Sequence, residues 1–348
     1  MPTHRINRTS EDIHYDASWI RYLLFLVIGF LLLAFLILMS LITGNYDTSI
    51  SEVVAALVHP NSNQAVYNIV VFSRIPRLCA AMMIGAALSV SGLVFQDIFT
   101  NHMASPDILG VSAGAGFGAS LAIFMGTGFT VIWILSFVGG IASVGLTVLV
   151  ASLFRQNSGK SIALILSGII IGGFLNSAIG LLKFLSNAAQ LSSITYWLLG
   201  GLYNANYEQL RAAIPVVAIG VMVLYLLRWK ILILRNGDLD AQIHGVNAKS
   251  TKILSISFAT LITALSVSVG GTIGWIGLAV PNMIKVALQD NLKYSMPLTI
   301  LYGMAFTVFS DLLARTLSMS EIPIGIITGI LGSIVFVFVL LIRRMRHE

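Results

Sequence analysis

Long apolar runs separated by short polar segments fill this chain, and this pattern predicts repeated membrane crossing. A helical span needs about 20 apolar residues. Ten runs meet or approach that length, and they cover residues 19–41, 78–99, 108–125, 131–154, 162–184, 210–229, 253–269, 273–288, 297–317 and 323–342. The sequence therefore predicts an all-α polytopic membrane protein with ten transmembrane helices.

Composition agrees with this pattern and excludes several classes of protein. Of the 348 residues, 57% are hydrophobic and only 10% are charged, whereas soluble domains are about 25% charged. Soluble enzymes, nucleic-acid binders and disulfide scaffolds are thereby excluded. The single cysteine, Cys79, leaves no partner for an intrachain disulfide.

The basic residues predict the orientation of the chain. With an even number of spans both termini lie on one side, and 15 of the 20 Lys and Arg residues fall on that side. Because cytoplasmic segments carry the excess of Lys and Arg, both termini are predicted to be cytoplasmic. Residues 1–18 are too polar for a signal-peptide core. We therefore expect them to form a cytoplasmic tail, followed by a first span that is retained.

The connections predict a single transmembrane domain over residues 1–348, without a soluble domain. Residues 44–76 and 185–209 are the long outer segments, and residues 230–252 form the longest inner connection. Within the first outer segment, residues 49–57 read as a short amphipathic helix. Ser49 or Ser51 would cap it, with Glu52 in its first turn.

Small residues recur at helical spacing in the apolar runs. Gly110, Gly114 and Gly118 share one predicted helix face, and Gly168 and Gly172 repeat the spacing. Such faces let helix backbones approach closely in lipid. A pathway lined by exposed backbone carbonyls is the alternative interpretation.

No catalytic, nucleotide or metal site is evident in the sequence. The segment 158–161 resembles part of a phosphate loop, but Phe154 stands where that loop needs glycine. The histidines lack metal-ligand spacing. The candidate acids near the membrane all fall near predicted span ends, which argues against proton-coupled transport. These acids are Asp97, Asp107, Asp311 and Glu321.

Arginines on the outer side run against the general charge bias. Arg74 and Arg77 lie just outside the predicted second span. They either snorkel to lipid headgroups or bind the carboxylates of an acidic partner. Arg315 lies four residues after Asp311, so it either pairs internally with that acid or provides a third docking charge.

Over nearly its whole length the sequence resembles the permease subunits of ATP-binding-cassette (ABC) importers for iron-siderophores, haem and cobalamin. These are the iron-chelate and cobalamin permeases, which are type II importers. The resemblance rests on several segments in chain order: Arg74-Ile75-Pro76-Arg77, 85–92 with Gln96, 104–110, Tyr196-Trp197-Leu198-Leu199-Gly200-Gly201, 274–281, Asp311 with Arg315, and Glu321-Ile322-Pro323-Ile324-Gly325.

The resemblance implies ten helices in two inverted five-helix halves, with the fifth and tenth spans lining the pathway. It assigns Arg74, Arg77 and Arg315 to docking of a substrate-binding protein. The inner segment 238–249 would couple to the ATPase through Asp238, Asp240, Ala241, His244 and Gly245. Segment 157–162 would form the cytoplasmic gate through Asn157, Lys160, Ser161 and Ile162.

The chain departs from the family pattern at four places. A proline is lost at His102 before Pro106, and Asn282 and Lys285 replace a histidine and an arginine. The coupling segment reads His244-Gly245 instead of Leu-Gly, and Ser333 stands between Gly332 and Ile334 where Gly-x-Pro is common. These departures indicate a divergent branch.

The resemblance implies a non-catalytic permease in a bacterial cell (inner) membrane, with iron-siderophore as the expected cargo, then haem or cobalamin. Its partners would be a second permease, two ATPase subunits and an extracytoplasmic binding protein. ATP and Mg²⁺ would bind to the ATPase, and this chain would bind no cofactor. The alternatives are an ion-coupled secondary transporter and a scaffold of the same fold that does not transport.

Overall fold

The computed structural model describes residues 10–44, 46, 48–59, 63–154, 160–288, 294–318 and 320–347, and every regular element in these ranges is helical. The α-helices are α1 (Ser10–Ile42), α2 (Ile50–Val58), α3 (Gln64–Asn68), α4 (Ile75–Ile98), α5 (Val111–Phe124), α6 (Phe129–Leu153), α7 (Lys160–Leu185), α8 (Ala188–Leu199), α9 (Tyr207–Leu234), α10 (Asp238–Ile243), α11 (Ala248–Gly270), α12 (Ile276–Ala287), α13 (Ser295–Thr316) and α14 (Ile324–His347).

All ten predicted apolar runs contain a helix, but only eight of these helices are long enough to cross a membrane. The two exceptions are α5 and α12, which have 14 and 12 residues. At 1.5 Å per residue they extend about 21 and 18 Å, less than the hydrocarbon thickness of about 30 Å. The residues before each short helix, which were predicted to belong to the spans, instead form approach segments that are not α-helical, and the first contains a 3₁₀ turn at Pro106–Leu109.

Helix α4 lies at the centre of the bundle and is the most buried span. It packs against α9, α11, α12 and α13. Two glycines make this packing possible. A Cβ atom on Gly92 would lie 1.8 Å from the carbonyl oxygen of Gly277, and one on Gly85 would lie 2.2 Å from that of Gly303. Backbones this close leave no room for a side chain.

The predicted glycine face is present only in part, because Gly114 and Gly118 pack closely in α5 whereas Gly110 lies before the helix in a left-handed conformation with φ +79°. A Cβ atom on Gly114 would lie 2.3 Å from the carbonyl oxygen of Gly139 in α6, and one on Gly118 would lie 2.0 Å from that of Leu135. On α7 the two predicted glycines differ, because one packs against backbone and the other faces open space. Gly168 packs against the carbonyl oxygen of Ile108, whereas Gly172 meets no atom within 4 Å and faces a groove.

The outer segment contains the predicted capped helix. Ser49 caps α2 in a capping box, in which its Oγ accepts from the Glu52 backbone N–H at 3.3 Å and its own backbone N–H donates to Glu52 Oε2 at 2.8 Å. The Ser49 hydroxyl also donates to this Oε2 atom. These donors hold the pKa of the Glu52 carboxyl below its usual value. The buried face of α2, Val53 and Ala56, packs on Val66 and Val70.

The second span begins earlier than the sequence predicts. One continuous helical stretch runs over Gln64–Ile98, with a single π-helical segment at Ile69–Arg74. Arg74 and Arg77, predicted to lie just outside the span, therefore lie within this stretch. The two charges were expected to exclude this segment from the span. They do not, because both guanidinium groups bind to partners inside the protein.

Close contact between α4 and α12 is testable by adding one methyl group. Gly92→Ala places a Cβ atom against the backbone of Gly277, which cannot move aside as a flexible side chain would. Overpacking of this kind costs about 1–3 kcal/mol. We expect a lower apparent melting temperature for the detergent-solubilised protein.

The matched control is Gly173→Ala in α7, where an added Cβ atom meets nothing within 4 Å. It should melt like the wild type or slightly above it, since alanine favours helix. Equal melting temperatures for both variants would contradict the close contact.

Candidate functional site

A buried charge cluster joins the ends of α4 and α13 that the charge bias predicts to face outward, which we call the outer ends. The Arg77 guanidinium donates through Nε to Asp311 Oδ1 at 2.7 Å and through Nη1 to Glu321 Oε2 at 2.8 Å. Arg315 Nε lies 3.4 Å from Asp311 Oδ2. Asp311 is thus the shared counter-charge of two arginines. The internal pair between Asp311 and Arg315, one of the sequence alternatives, is present.

The same cluster closes the end of α1. Arg315 donates to the carbonyl oxygens of Ser40 at 2.9 Å and Thr43 at 3.0 Å. Arg74 donates to the carbonyl oxygen of Ile42 at 2.9 Å and to Thr48 Oγ1 at 2.6 Å. These donors satisfy carbonyl groups that a helix C-terminus leaves without intrahelical partners.

The three predicted docking arginines are therefore occupied within the chain. Arg74, Arg77 and Arg315 are only 4%, 8% and 5% exposed, so none of them snorkels to a lipid headgroup. Glu321 is the most exposed partner, with about a third of its side chain accessible. Docking of a binding protein at these arginines stays a prediction.

An open groove of about 630 Å³ follows α7 through the membrane region. Its wall is mostly small or polar, and charged residues lie at two places, Asp107 and Lys183. The lining residues are Asp107, Ile108, Gly110, Ser112, Ala113, Gly168, Ile169, Gly172, Gly173, Asn176, Ile179, Gly180, Lys183, Leu198 and Thr272. A second cavity of about 240 Å³ adjoins Asp107 and separates residues 105–107 from residues 273–278.

The approach segments before α5 and α12 form part of these walls. Both helices follow a residue with positive φ, Gly110 at +79° and Trp275 at +71°. Thr147 Oγ1 donates to the carbonyl oxygen of Leu109 at 3.0 Å, and Ser143 Oγ donates to that of Gly110 at 2.9 Å. Irregular backbone at membrane depth is tolerated where protein groups satisfy it or where it lines a cavity.

Asp107 lies deeper than the sequence predicts. It was expected near a span end, but the neighbouring Ile108 packs on Gly168, eight residues into α7. Thr147, which binds the next residue, lies six residues before the end of α6. Both separations place this segment about 9–12 Å inside the inner helix ends. The sequence could not show this, because a short helix that starts inside the bundle resembles an ordinary span.

A second buried ion pair joins α4 and α12 near their inner ends. Lys285 Nζ lies 2.8 Å from Asp97 Oδ1 and 3.2 Å from Gln96 Oε1. Asn282 Nδ2 donates to the carbonyl oxygen of His102 at 2.8 Å. Three of the positions where the chain departs from the family pattern, 102, 282 and 285, thus lie together in the structure.

The predicted coupling segment forms the short helix α10 on the inner side. Two of its polar side chains contact groups within the chain: Asp238 pairs with Lys252, and His244 Nδ1 lies 2.8 Å from the backbone carbonyl oxygen of Asp240. Ala241 is buried against Leu234 and Val246. Gly245 has φ +70°, a conformation that favours glycine.

Sequence reasoning missed the most prominent feature of α10. Leu239 and Ile243, four residues apart on one helix face, are 76% and 79% exposed. An apolar pair on an otherwise polar loop is unfavourable in water and indicates a contact surface. The i, i+4 spacing of apolar residues in the segment was the signal that could have found it.

The predicted gate is only partly described by the structure. Asn157 lies outside the described residues. Lys160 and Ser161 form the first turn of α7, although the positions of their side chains are not among the described ones. Ile162 is exposed on the same turn. Among the residues that the structure describes, no three His, Cys, Asp or Glu side chains are grouped to hold a metal ion.

The known proteins to which this chain is similar agree in kind, because all of them are transport proteins. The FecCD transport family matches residues 32–343. A probable iron chelatin transport system permease of Helicobacter pylori is 34% identical over 78% of this chain and 82% of its own length. The molybdate import system permease of Haemophilus influenzae is 31% identical over 88% and 92%. A solved metal-chelate type ABC transporter in an inward-facing conformation is 30% identical, covers 91% of this chain and 98% of its own, and has a TM-score of 0.81.

Removing the shared counter-charge tests the outer cluster. Asp311→Asn leaves two buried arginines without their common carboxylate, and breaking buried pairs in this way costs about 3–5 kcal/mol. We expect a large loss of thermal stability in detergent. Glu321→Gln, at the more exposed partner, should cost under about 1 kcal/mol. Equal stability of the two variants would show that the cluster does not hold the outer helix ends together.

Proposed function

The chain belongs to the FecCD transport family, and from that premise we propose that the cargo it carries is an iron chelate of the siderophore type, with haem or cobalamin next. The relatives are ABC importer permeases, and this chain is likewise the membrane-spanning, non-catalytic subunit of such an importer. ATP hydrolysis belongs to separate ATPase subunits. The chain is a multi-pass protein of the inner membrane, and we propose that both of its termini are cytoplasmic.

The observation that carries the proposal is the groove beside the two short helices, α5 and α12. Short helices in corresponding positions of two halves are the best pointer to a transporter's binding region. Here α5 follows the first two membrane-spanning stretches of the first half, and α12 follows those of the second half, α9 and α11. The approach segments of both helices line the cavity beside Asp107.

Contacts between the helices support two inverted five-helix halves. The pairs α4 with α13 and α11 with α6 occupy equivalent places, and so do the pairs α5 with α7 and α12 with α14. In this arrangement α4 and α11 are equivalent helices, related by an axis that passes between them. They also contact each other. We propose that α7 and α14, the fifth and tenth spans, line the pathway against a second permease subunit.

On the inner side, we propose that α10 seats in a cleft of an ABC ATPase that binds ATP and Mg²⁺. The exposed pair Leu239 and Ile243 supplies apolar surface for this contact, and Gly245 sets the turn that follows. On the outer side, a binding protein would dock by placing carboxylates near Arg74, Arg77 and Arg315. Arg77 becomes available to such a carboxylate when it releases Glu321.

The proposal is tested by co-purification and stimulation of ATPase activity. The chain is expressed with its neighbouring genes, extracted in mild detergent and analysed for stoichiometric partners. We expect an ATPase whose hydrolysis rises when a binding protein loaded with a ferric siderophore is added. Stimulation by a molybdate-loaded binding protein alone would overturn the iron-chelate cargo. A chain that purifies without any ATPase would contradict the partner assignment.

The exposed apolar pair gives a direct test of the coupling surface. Replacing Leu239 and Ile243 together with glutamate removes two side chains whose burial is worth about 1.5–3 kcal/mol each. We expect the amount of co-purifying ATPase to fall more than tenfold. Gln242→Glu, on the same helix, adds a charge without removing apolar surface and should retain the ATPase. Full retention by the double variant would exclude this face as the contact.

A further inference from the structure

The carboxylate of Asp107 faces the groove, although this part of the chain lies inside the membrane region. Asp107 is exposed, lines both the large groove and the adjoining cavity, and accepts a hydrogen bond from the Ser112 hydroxyl. Among the described residues, no basic side chain forms an ion pair with it. This differs from the acids at the helix ends, Asp97 and Asp311, which are buried and paired.

An exposed carboxylate at this depth indicates that the groove holds water. The segment lies about 9–12 Å inside the inner ends of α6 and α7. A charged side chain in hydrocarbon is costly, so intramembrane acids face a water-filled cavity or the bundle interior and mark substrate pathways. The neighbouring wall contains Ser112, Asn176 and Thr272, whose polar groups also suit a hydrated surface.

The inner part of this groove has no compensating positive charge among its described lining residues. Around Asp107 the wall is formed by neutral residues such as Gly168, Gly172 and Gly173. Lys183 lines the same groove, but it lies 15 residues beyond Gly168 on α7, or about 22 Å along the axis. This exceeds two Debye lengths of about 8–10 Å. The two charges therefore act on separate parts of the groove.

We propose that Asp107 selects cargo by charge. The inner groove admits neutral or cationic metal chelates and disfavours oxyanions and polyanionic chelates, because a charge in a water-filled cleft with low-dielectric walls attracts cations into the cleft and repels anions from it. This inference rests on the proposed function and narrows it. It separates the chain from a permease for a small oxyanion such as molybdate, the cargo named for one relative.

The local potential is measurable with charged thiol reagents on the assembled importer in proteoliposomes. In a Cys79→Ser background, Gly172→Cys introduces a thiol beside the Asp107 segment. An added Cβ atom there meets nothing within 4 Å, and Gly172 backbone atoms lie within 3.8 Å of the Cβ position at Gly110. The rates of modification by a trimethylammonium-ethyl and a sulfonato-ethyl methanethiosulfonate are compared with Asp107 intact and in Asp107→Asn.

The matched control is Gly180→Cys, where an added Cβ atom also meets open space. It lies eight residues farther along α7, about 12 Å away and beyond one Debye length. Asp107→Asn should lower the cation-to-anion rate ratio about tenfold at position 172 and less than twofold at position 180. An unchanged ratio at position 172 would overturn the proposal, and so would equal changes at both positions.

Uptake distinguishes failure of this inference from failure of the proposed function. With the binding protein that the importer uses, Asp107→Asn should raise uptake of an anionic ferric chelate at least threefold relative to a neutral one. Equal uptake ratios in both proteins, with transport intact, would overturn charge selection alone. Thiols at positions 172 and 180 that react with neither reagent would contradict the water-filled groove, and with it the proposed pathway.

Discussion

In hydrocarbon every peptide N–H and C=O group must find a partner within the protein, and this constraint governs the interrupted spans. The approach segments before α5 and α12 are not α-helical, and the first contains a 3₁₀ turn at Pro106–Leu109, in which the N–H groups of Ile108 and Gly110 donate to the carbonyl oxygens of Ser105 and Asp107. Thr147 and Ser143 on α6 satisfy the carbonyl groups of Leu109 and Gly110. Thr272 Oγ1 donates to the carbonyl oxygen of Leu198. Because the carbonyl groups of Leu109 and Gly110 are satisfied, the first of the two short spans can begin inside the bundle and leave a groove beside it.

Helix α4 keeps this arrangement in place. Its glycines bring α12 and α13 into backbone contact, and a buried ion pair fixes it near each end. Arg77 binds Asp311 of α13 at the outer end, and Asp97 binds Lys285 of α12 at the inner end. The two residues of α4 are 20 positions apart, about 30 Å along the helix, which equals the thickness of the hydrocarbon core. Packing and charge therefore hold the same three helices together.

The sequence predicted whatever depends on local chemistry or on periodicity. Each apolar run contains a helix, Ser49 caps α2 with Glu52 in its first turn, and Gly114 and Gly118 pack closely in α5, all as predicted. Features that depend on tertiary contacts were not predictable. The depth of Asp107 follows from a short helix that begins inside the bundle, and the burial of Arg77 follows from acids more than 230 residues away. The docking, coupling and gate assignments came from family resemblance and stay predictions.

We propose that ATP hydrolysis by a partner moves a chelate through the groove beside α7, and the most direct test is uptake into proteoliposomes. The complete importer is reconstituted with an external binding protein, a ⁵⁵Fe-labelled siderophore and ATP at the ATPase side. We expect accumulation of ⁵⁵Fe that requires ATP and persists when ion gradients are collapsed. Accumulation driven by a proton or sodium gradient without ATP would contradict it and would favour an ion-coupled transporter.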